Sequence, residues 1–108
     1  MNELVQKLAD GDHRIVVARA DGSAQELKNM IDRDYVLVKF TETRGGTELG
    51  YRLDKDRSAL DSGDFDAATG SVTLAGNLNL NYVDVRCVAT VDLSTLEGQG
   101  HLEIIEAD

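Results

Sequence analysis

The sequence predicts an α+β fold: a curved, mainly antiparallel sheet of five to seven strands with one or two short helices on one face. Three observations support this class, namely short apolar runs of strand length, turns marked by glycine between them, and one well-capped helix. Because hairpins join most of the strands, we expect antiparallel pairing. A small β-barrel with an N-terminal helix is the alternative that the same pattern allows.

The chain is expected to fold as a single domain that spans residues 1–108. Its length suits one ordinary domain, and it contains no proline, repeat or Ser/Gly tract that would mark a linker. Hydrophobic residues make up 42% of the chain and charged residues 29%, which is typical of a globular protein with a packed core. Tryptophan is absent, so we expect this core to consist mostly of Leu, Val and Ile.

The first helix is predicted within residues 2–10. Leu4, Val5 and Leu8 fall on one side of it, and Gly11 is a suitable residue for its C-terminal end. The next residues, HRIVVARA from position 13 to position 20, have the β-branched composition of a strand.

The strongest helix signal lies in residues 21–31. Asp21 and Gly22 suit a turn, and Ser23 with Glu26 forms a capping box, in which each side chain satisfies a backbone N–H at the helix start. Three apolar residues then recur at helical spacing: Leu27, Met30 and Ile31. We therefore expect an amphipathic helix whose apolar side packs against the sheet.

Residues 35–54 predict a β-hairpin, because Gly45 and Gly46 readily adopt the positive φ angles of a two-residue turn. Such a turn places residues opposite each other across the two strands. The expected partners are Phe40 with Tyr51, Val38 with Leu53, and Lys39 with Arg52. A three-residue loop is the alternative, and it would place Glu42 opposite Glu48.

Two further hairpins are expected downstream. In residues 65–74, Asp66 is expected to begin a type I turn and Gly70 to take the left-handed position after it. Residues 75–77 (AGN) are expected to interrupt the following strand as a tight turn or a bulge. The last hairpin is predicted to turn at residues 94–98.

The stretch NLNLNYVDVRC, from Asn77 to Cys87, changes its alternation at Tyr82 and Val83. The apolar residues before and after this point would fall on opposite faces of a regular strand, because a shift of one residue exchanges the faces. A β-bulge at Tyr82 and Val83 would restore one continuous apolar face, and we predict a bulge there. A strand buried on both sides over residues 83–91 is the alternative.

The net charge of −9 indicates which partners the protein can attract. A nucleic acid or an anionic membrane surface would be repelled, and no cluster of basic residues offsets this repulsion. A basic protein surface would be attracted. We therefore expect a basic protein surface as the partner, and neither a nucleic acid nor a membrane.

Polar and aromatic residues of the predicted sheet are the candidates for a binding site. The asparagines of the stretch offer amide donors and acceptors on one face, and His101 shares a face with Glu103, which could orient its imidazole. The candidate binding residues are Asn77, Asn79, Asn81, Tyr51, Tyr82 and His101. A solvated sheet face and a surface ion pair are the simpler interpretations of the same residues.

No catalytic residue, metal site or cofactor is predicted. The two histidines lack a metal-ligand spacing, and residues 54–66, although rich in Asp, lack the spacing of a calcium loop. The glycine pairs do not join a strand to a helix as a phosphate-binding loop does. Cys87, the single cysteine, lies in an apolar row and is expected to be a buried free thiol.

These observations predict a small, acidic, non-enzymatic interaction, accessory or immunity-type module that docks a basic protein surface through its sheet or a sheet edge. One alternative is a curved-sheet or barrel module whose internal pocket binds or transforms a small apolar ligand. Another is a homo-oligomeric structural protein, such as a homodimer joined at a sheet edge. The N-terminal residues do not resemble a secretory signal, so we expect a cytoplasmic location.

Overall fold

The computed structural model describes residues 3–18, 23–80 and 82–105 of the chain. The helices are α1 (Glu3–Ala9) and α2 (Ala24–Asp32). The strands are β1 (His13–Val17), β2 (Tyr35–Phe40), β3 (Thr47–Arg52), β4 (Gly63–Asp64), β5 (Thr69–Leu80), β6 (Val83–Asp92) and β7 (Glu97–Ile104). The predicted α+β class is confirmed, with seven strands and two short helices in the described ranges.

All the strands form one open antiparallel sheet in the order β3-β2-β1-β7-β6-β5-β4. Short turns or loops join β2 to β3, β4 to β5, β5 to β6 and β6 to β7, whereas α2 connects β1 to β2. Strand β1 also pairs with β7, so that Ile15 lies opposite Gly98. This long-range pairing joins the two halves of the chain in a single sheet.

Helix α2 begins and ends at residues whose local chemistry favours those positions. The Ser23 hydroxyl oxygen accepts a hydrogen bond of 3.4 Å from the Glu26 amide, which confirms this half of the predicted capping box. At the other end, the Asp34 amide donates to the carbonyl oxygen of Ile31 at 2.9 Å. Asp34 has φ of 59°, so it ends the helix in the left-handed conformation that glycine usually supplies.

One face of the sheet, called the inner face here, packs against both helices and forms the core. Ile15 of β1 and Cys87 of β6 are fully buried on this face. Val5 and Leu8 of α1 and the apolar side of α2 belong to the same hydrophobic cluster. The opposite face, called the outer face, carries mostly charged and polar side chains, among them Arg14, Lys39, Glu97 and His101.

The sheet curves so strongly that β3 and β5, which are not neighbours in the strand order, come into contact. The chain that leaves β3 runs along the edge of β5, where the Asp54 amide donates to the Ala75 carbonyl oxygen at 2.8 Å. Gly76 permits this approach, because a Cβ atom there would overlap the carbonyl oxygen of Arg52 and lie 2.5 Å from Cδ2 of Tyr51. The absence of a side chain at Gly76 is therefore a condition of the curvature.

The predicted register of the β2–β3 hairpin is wrong, and so is the alternative with a three-residue loop. The observed loop spans residues 41–46, and it places Val38 opposite Leu49 and Lys39 opposite Glu48. Gly45 and Gly46 do adopt positive φ angles, of 74° and 75°. The longer loop is favoured because it pairs opposite charges across the strands instead of two cations.

The predicted bulge at Tyr82 and Val83 is also wrong. Strand β5 ends at Leu80 and β6 begins at Val83, and these two residues lie opposite each other across a two-residue connection. Tyr82 has φ of 70°, which is typical of such a tight hairpin turn. The change in alternation therefore marks a reversal of the chain, which brings Leu78 and Val85 to the same face.

Two smaller expectations for the second half of the chain are corrected as well. Residues 75–77 do not interrupt β5, since Gly76 lies opposite Cys87 in a regular ladder. The turn between β4 and β5 begins at Asp64 and not at Asp66, because the Asp64 carboxylate accepts hydrogen bonds of 3.1 Å from the amides of Asp66 and Ala67. Gly70 has the predicted positive φ, and the last turn lies at residues 93–96.

Candidate functional site

The outer face contains a concave surface of about 540 Å³ that we call the acidic cleft. Carboxylates from four separate segments and a single guanidinium group line it. The charged lining residues are Asp12, Arg14, Glu42, Asp92 and Glu97, and the remaining wall is Thr95, Gly98 and Gln99. Four acidic side chains against one basic side chain give the lining a formal charge of −3.

Arg14 organises one side of the acidic cleft. Its backbone amide donates a hydrogen bond of 2.9 Å to Oε1 of Glu42, which lies just beyond the end of β2. Its guanidinium group forms an ion pair with the Glu97 carboxylate on β7. Because the lining has four carboxylates and one guanidinium group, Arg14 neutralises only part of the surrounding negative charge.

Asp92 holds the negative charge at the other side of the acidic cleft. The Ser94 hydroxyl and the Ser94 amide both donate to its Oδ1, at 2.6 and 2.8 Å. These hydrogen bonds hold the pKa of the Asp92 carboxyl below its ordinary value, and the bond from the hydroxyl has the larger effect. Asp92 therefore keeps its charge at neutral pH.

A chain of hydrogen-bonded polar side chains lies beside the acidic cleft on the outer face. His101 places Nδ1 at 3.2 Å from Asp12 and Nε2 at 3.1 Å from Glu103. Arg86 extends the chain, with Nη1 at 3.2 Å from Oε1 of Glu103. The pKa of the Glu103 carboxyl lies below its ordinary value. The largest cause is the hydrogen bond with His101, and the hydrogen bond from Arg86 lowers it further.

The arrangement around His101 suits a structural or recognition role better than acid–base chemistry. Both imidazole nitrogens have a carboxylate oxygen within hydrogen-bonding distance, so neither is directed at open space. Within the described ranges, no three Asp, Glu, His or Cys side chains are grouped closely enough to hold a metal ion. What the outer face presents instead is dispersed negative charge in a concave setting.

A second cleft, of about 600 Å³, lies where the chain passes from β3 to the edge of β5. We call it the edge cleft. Lys55 crosses to Asp34 with Nζ at 3.0 Å from Oδ1, and the Asp54 carboxylate accepts from the Asp56 amide at 3.1 Å. The lining is Asp34, Arg52, Leu53, Asp54, Lys55, Asp56 and Asn77.

The candidate binding residues from the sequence do not converge on one site. Asn77 lines both the edge cleft and a smaller cleft with Leu78, Asp84 and Ile105. Asn79 is exposed, and its side-chain amide Nδ2 donates a hydrogen bond of 2.9 Å to Oδ1 of Asp84.

The other candidates lie apart from Asn77. Tyr82 is almost fully exposed at the hairpin tip, whereas Tyr51 is buried in the core. His101 lies beside Glu103 as the strand alternation predicted. Asn81 is outside the described residues.

The residues of the acidic cleft did not stand out in the sequence. Asp12 and Glu97 are far apart along the chain, and no motif links them. They line the same cleft because β1 pairs with β7, which places Arg14 opposite Gln99. Strand alternation alone would have placed Arg14 and Glu97 among polar outward-facing residues, but it could not have shown that they are neighbours.

Cys87 is buried as the sequence predicted, at 0% exposure. Burial raises the pKa of its thiol to about 12, and this outweighs the opposite effect of the Tyr51 hydroxyl. A thiol in this state is a poor nucleophile. Cys87 therefore acts as a small apolar side chain of the core.

Comparison with protein-family models and with curated proteins gives no match to this chain. The functional argument therefore rests on the geometry and charge of the clefts described above. No helix in the described ranges is long and apolar enough to cross a membrane.

Proposed function

We propose that this protein is a small non-enzymatic interaction module that docks a basic protein partner at the acidic cleft. The observation that carries the proposal is the −3 formal charge of a concave surface lined by four carboxylates and one arginine. The net charge of −9 over the whole chain acts in the same direction, because it attracts a basic partner from a distance.

The shape of the acidic cleft favours Lys or Arg side chains over a compact cation. Its carboxylates come from β6, β7 and the segments flanking β1 and β2, so their charge is spread over the whole lining. An extended guanidinium or ammonium side chain can contact several such groups in turn. Electrostatic attraction of this type speeds association and weakens as salt screens it, with a screening length of about 8 Å at physiological ionic strength.

The two alternatives have less support from the geometry. The inner face, where an internal ligand pocket would form, is filled by apolar side chains of the sheet and both helices, including Tyr51 and Leu27. Self-association of a chain with a net charge of −9 brings like charges together. A basic partner is subject to neither objection.

A titration with an oligolysine peptide, followed by NMR, tests the proposal. The expected result is a set of chemical-shift changes concentrated at the acidic cleft, with an affinity that falls as the salt concentration rises. Glu42→Gln should weaken binding, because glutamine can still accept the hydrogen bond from the Arg14 amide but carries no charge.

The matched control is Glu26→Gln. It removes one exposed charge from α2, which packs on the inner face, and glutamine is also suitable for the capping box. This variant should bind the peptide as the wild type does. Shift changes spread evenly over the protein, equal weakening by both substitutions, or an affinity independent of salt would contradict the proposal.

A further inference from the structure

Strand β5 has an edge that changes from paired to open along its length. In the first part of the strand, Thr73 exchanges hydrogen bonds of 2.8 and 2.9 Å with Ala59. Ala75 follows, with its amide donating to the Ser58 hydroxyl at 2.9 Å and its carbonyl accepting from Asp54. The irregular segment after β3 thus covers the edge as far as Ala75.

Beyond Ala75 the same edge has no partner among the described residues. Backbone groups alternate in direction along an antiparallel strand, and Thr73 and Ala75 point theirs away from β6. The N–H and C=O groups of Asn77 and Asn79 therefore point to the open edge as well. No proline, lysine or inward-pointing charge protects this part of the strand, from Asn77 to Leu80, against pairing.

The two faces of the open edge differ in chemistry. On the inner face, Leu78 and Leu80 pack only partly against the core and remain half-buried. On the outer face, Asn77 and Asn79 are exposed, and the edge cleft lies against Asn77. An added strand would have alternating side chains in the same way, with apolar residues beside the leucines.

The charges at this edge favour cationic side chains on the outer face of an added strand. The Asp84 carboxylate accepts a hydrogen bond from the side-chain amide of Asn79, which does not neutralise its charge. Asp56 has no ion pair within the described ranges. The two cations of the edge cleft are Lys55, which is held by Asp34, and Arg52. A second copy of this chain fits the edge poorly, because each copy has a net charge of −9.

We propose that the open edge of β5, from Asn77 to Leu80, accepts an extended segment of a basic protein partner as an additional β-strand. In this mode the main-chain hydrogen bonds provide affinity, and the alternate side chains provide specificity. The site does not depend on the acidic cleft. Glu42 of the acidic cleft lies two residues after the last residue of β2, whereas Asp34 of the edge cleft lies just before the first.

The test uses a nine-residue synthetic peptide of alternating valine and lysine, and the same peptide N-methylated at every residue, so that neither of its edges can donate. Both peptides have the same charge, but only the first can form a strand ladder. We expect the unmodified peptide to slow amide hydrogen exchange of Asn77 and Asn79 at least tenfold at saturation. The methylated peptide should leave both exchange rates unchanged.

Two substitutions at Asn79 separate strand pairing from other contacts. Asn79→Pro removes an edge-facing N–H without removing a bond to β6, so it should lower the affinity for the unmodified peptide at least tenfold. Asn79→Thr keeps that N–H and suits a strand, so it should retain binding.

Equal binding of the two peptides would overturn the inference. Unchanged exchange at Asn77 and Asn79 in millimolar peptide, or wild-type affinity in Asn79→Pro, would do the same. If Glu42→Gln weakened binding while Asn79→Pro did not, the result would support binding at the acidic cleft and contradict strand addition at the edge of β5. The reverse pattern would support the edge site alone.

Discussion

The hydroxyl group of Tyr51 donates a hydrogen bond of 2.9 Å to the backbone carbonyl oxygen of Leu74. Tyr51 lies on β3 and Leu74 on β5, although four strands stand between these two in the sheet order. Both side chains are fully buried. This bond therefore joins the two sides of the curved sheet through the core, and burial raises the pKa of the Tyr51 hydroxyl far above its ordinary value.

The contribution of this bond to stability is tested by Tyr51→Phe. The substitution removes the hydroxyl donor and keeps the ring, so the free energy of unfolding should fall by about 1 kcal/mol. Urea denaturation measures the change. The control is Tyr35→Phe, which removes a hydroxyl from a half-exposed ring on the outer face and should have almost no effect. Equal stability of the wild type and Tyr51→Phe would show that the bond contributes nothing.

The close approach of β3 to β5 predicts that Gly76→Ala is strongly destabilising. The added Cβ would overlap the carbonyl oxygen of Arg52, and backbone cannot yield as a flexible side chain does. We expect the free energy of unfolding to fall by about 1 to 3 kcal/mol. Ser71→Ala, at an exposed position of the same strand, should change it by less than about 0.5 kcal/mol. Similar values for the two variants would contradict the packing described here.

The left-handed conformation of Asp34 predicts that glycine is more favourable than alanine at this position. Asp34 ends α2 at φ of 59°, where a side chain is strained and glycine is not. Asp34→Gly and Asp34→Ala both remove the exposed ion pair with Lys55, so their difference reports on the backbone alone. We expect Asp34→Gly to be the more stable by about 1 kcal/mol in thermal or urea unfolding. A more stable alanine variant would be inconsistent with this conformation.

The depressed pKa of Glu103 predicts a stability difference that depends on pH. Its hydrogen bond with His101 lowers the pKa in the folded state, so ionised Glu103 stabilises the fold above the ordinary carboxyl pKa of about 4.3. This contribution is lost as the pH falls through the lowered pKa. Glu103→Gln should therefore be less stable than the wild type at pH 6, and the difference should shrink as the pH falls below about 4.

Urea unfolding at several pH values measures this difference. Because the Glu103 side chain is 46% exposed, we expect the effect at pH 6 to stay below about 1 kcal/mol. Glu26→Gln shows the effect of losing one charge elsewhere on the surface. A difference between the wild type and Glu103→Gln that stays constant from pH 6 to pH 3 would contradict the role of the ionised carboxylate.

Local signals in the sequence were enough for the α+β class and for several details of the elements. The capping residue Ser23, the buried stripe at Leu27, the buried Cys87 and the positive φ of Gly70 all follow from interactions within a few residues. Strand alternation also predicted that His101 and Glu103 share a face. Asn77 was predicted as a binding residue because it belongs to a row of asparagines on one strand face, and the structure shows that it lines two clefts.

The sequence alone thus determined most of the helical and strand segments and the side-chain alternation that points to the core, because those properties depend on near neighbours and alternation. Only the tertiary structure decided the register of β2 with β3, the reversal between Leu80 and Val83, and the pairing of β1 with β7. These depend on contacts between segments distant in the chain, whose energies no local pattern contains. The acidic cleft and the open edge of β5 arise from that pairing and curvature, so the sequence could predict their residues' polarity but not their proximity.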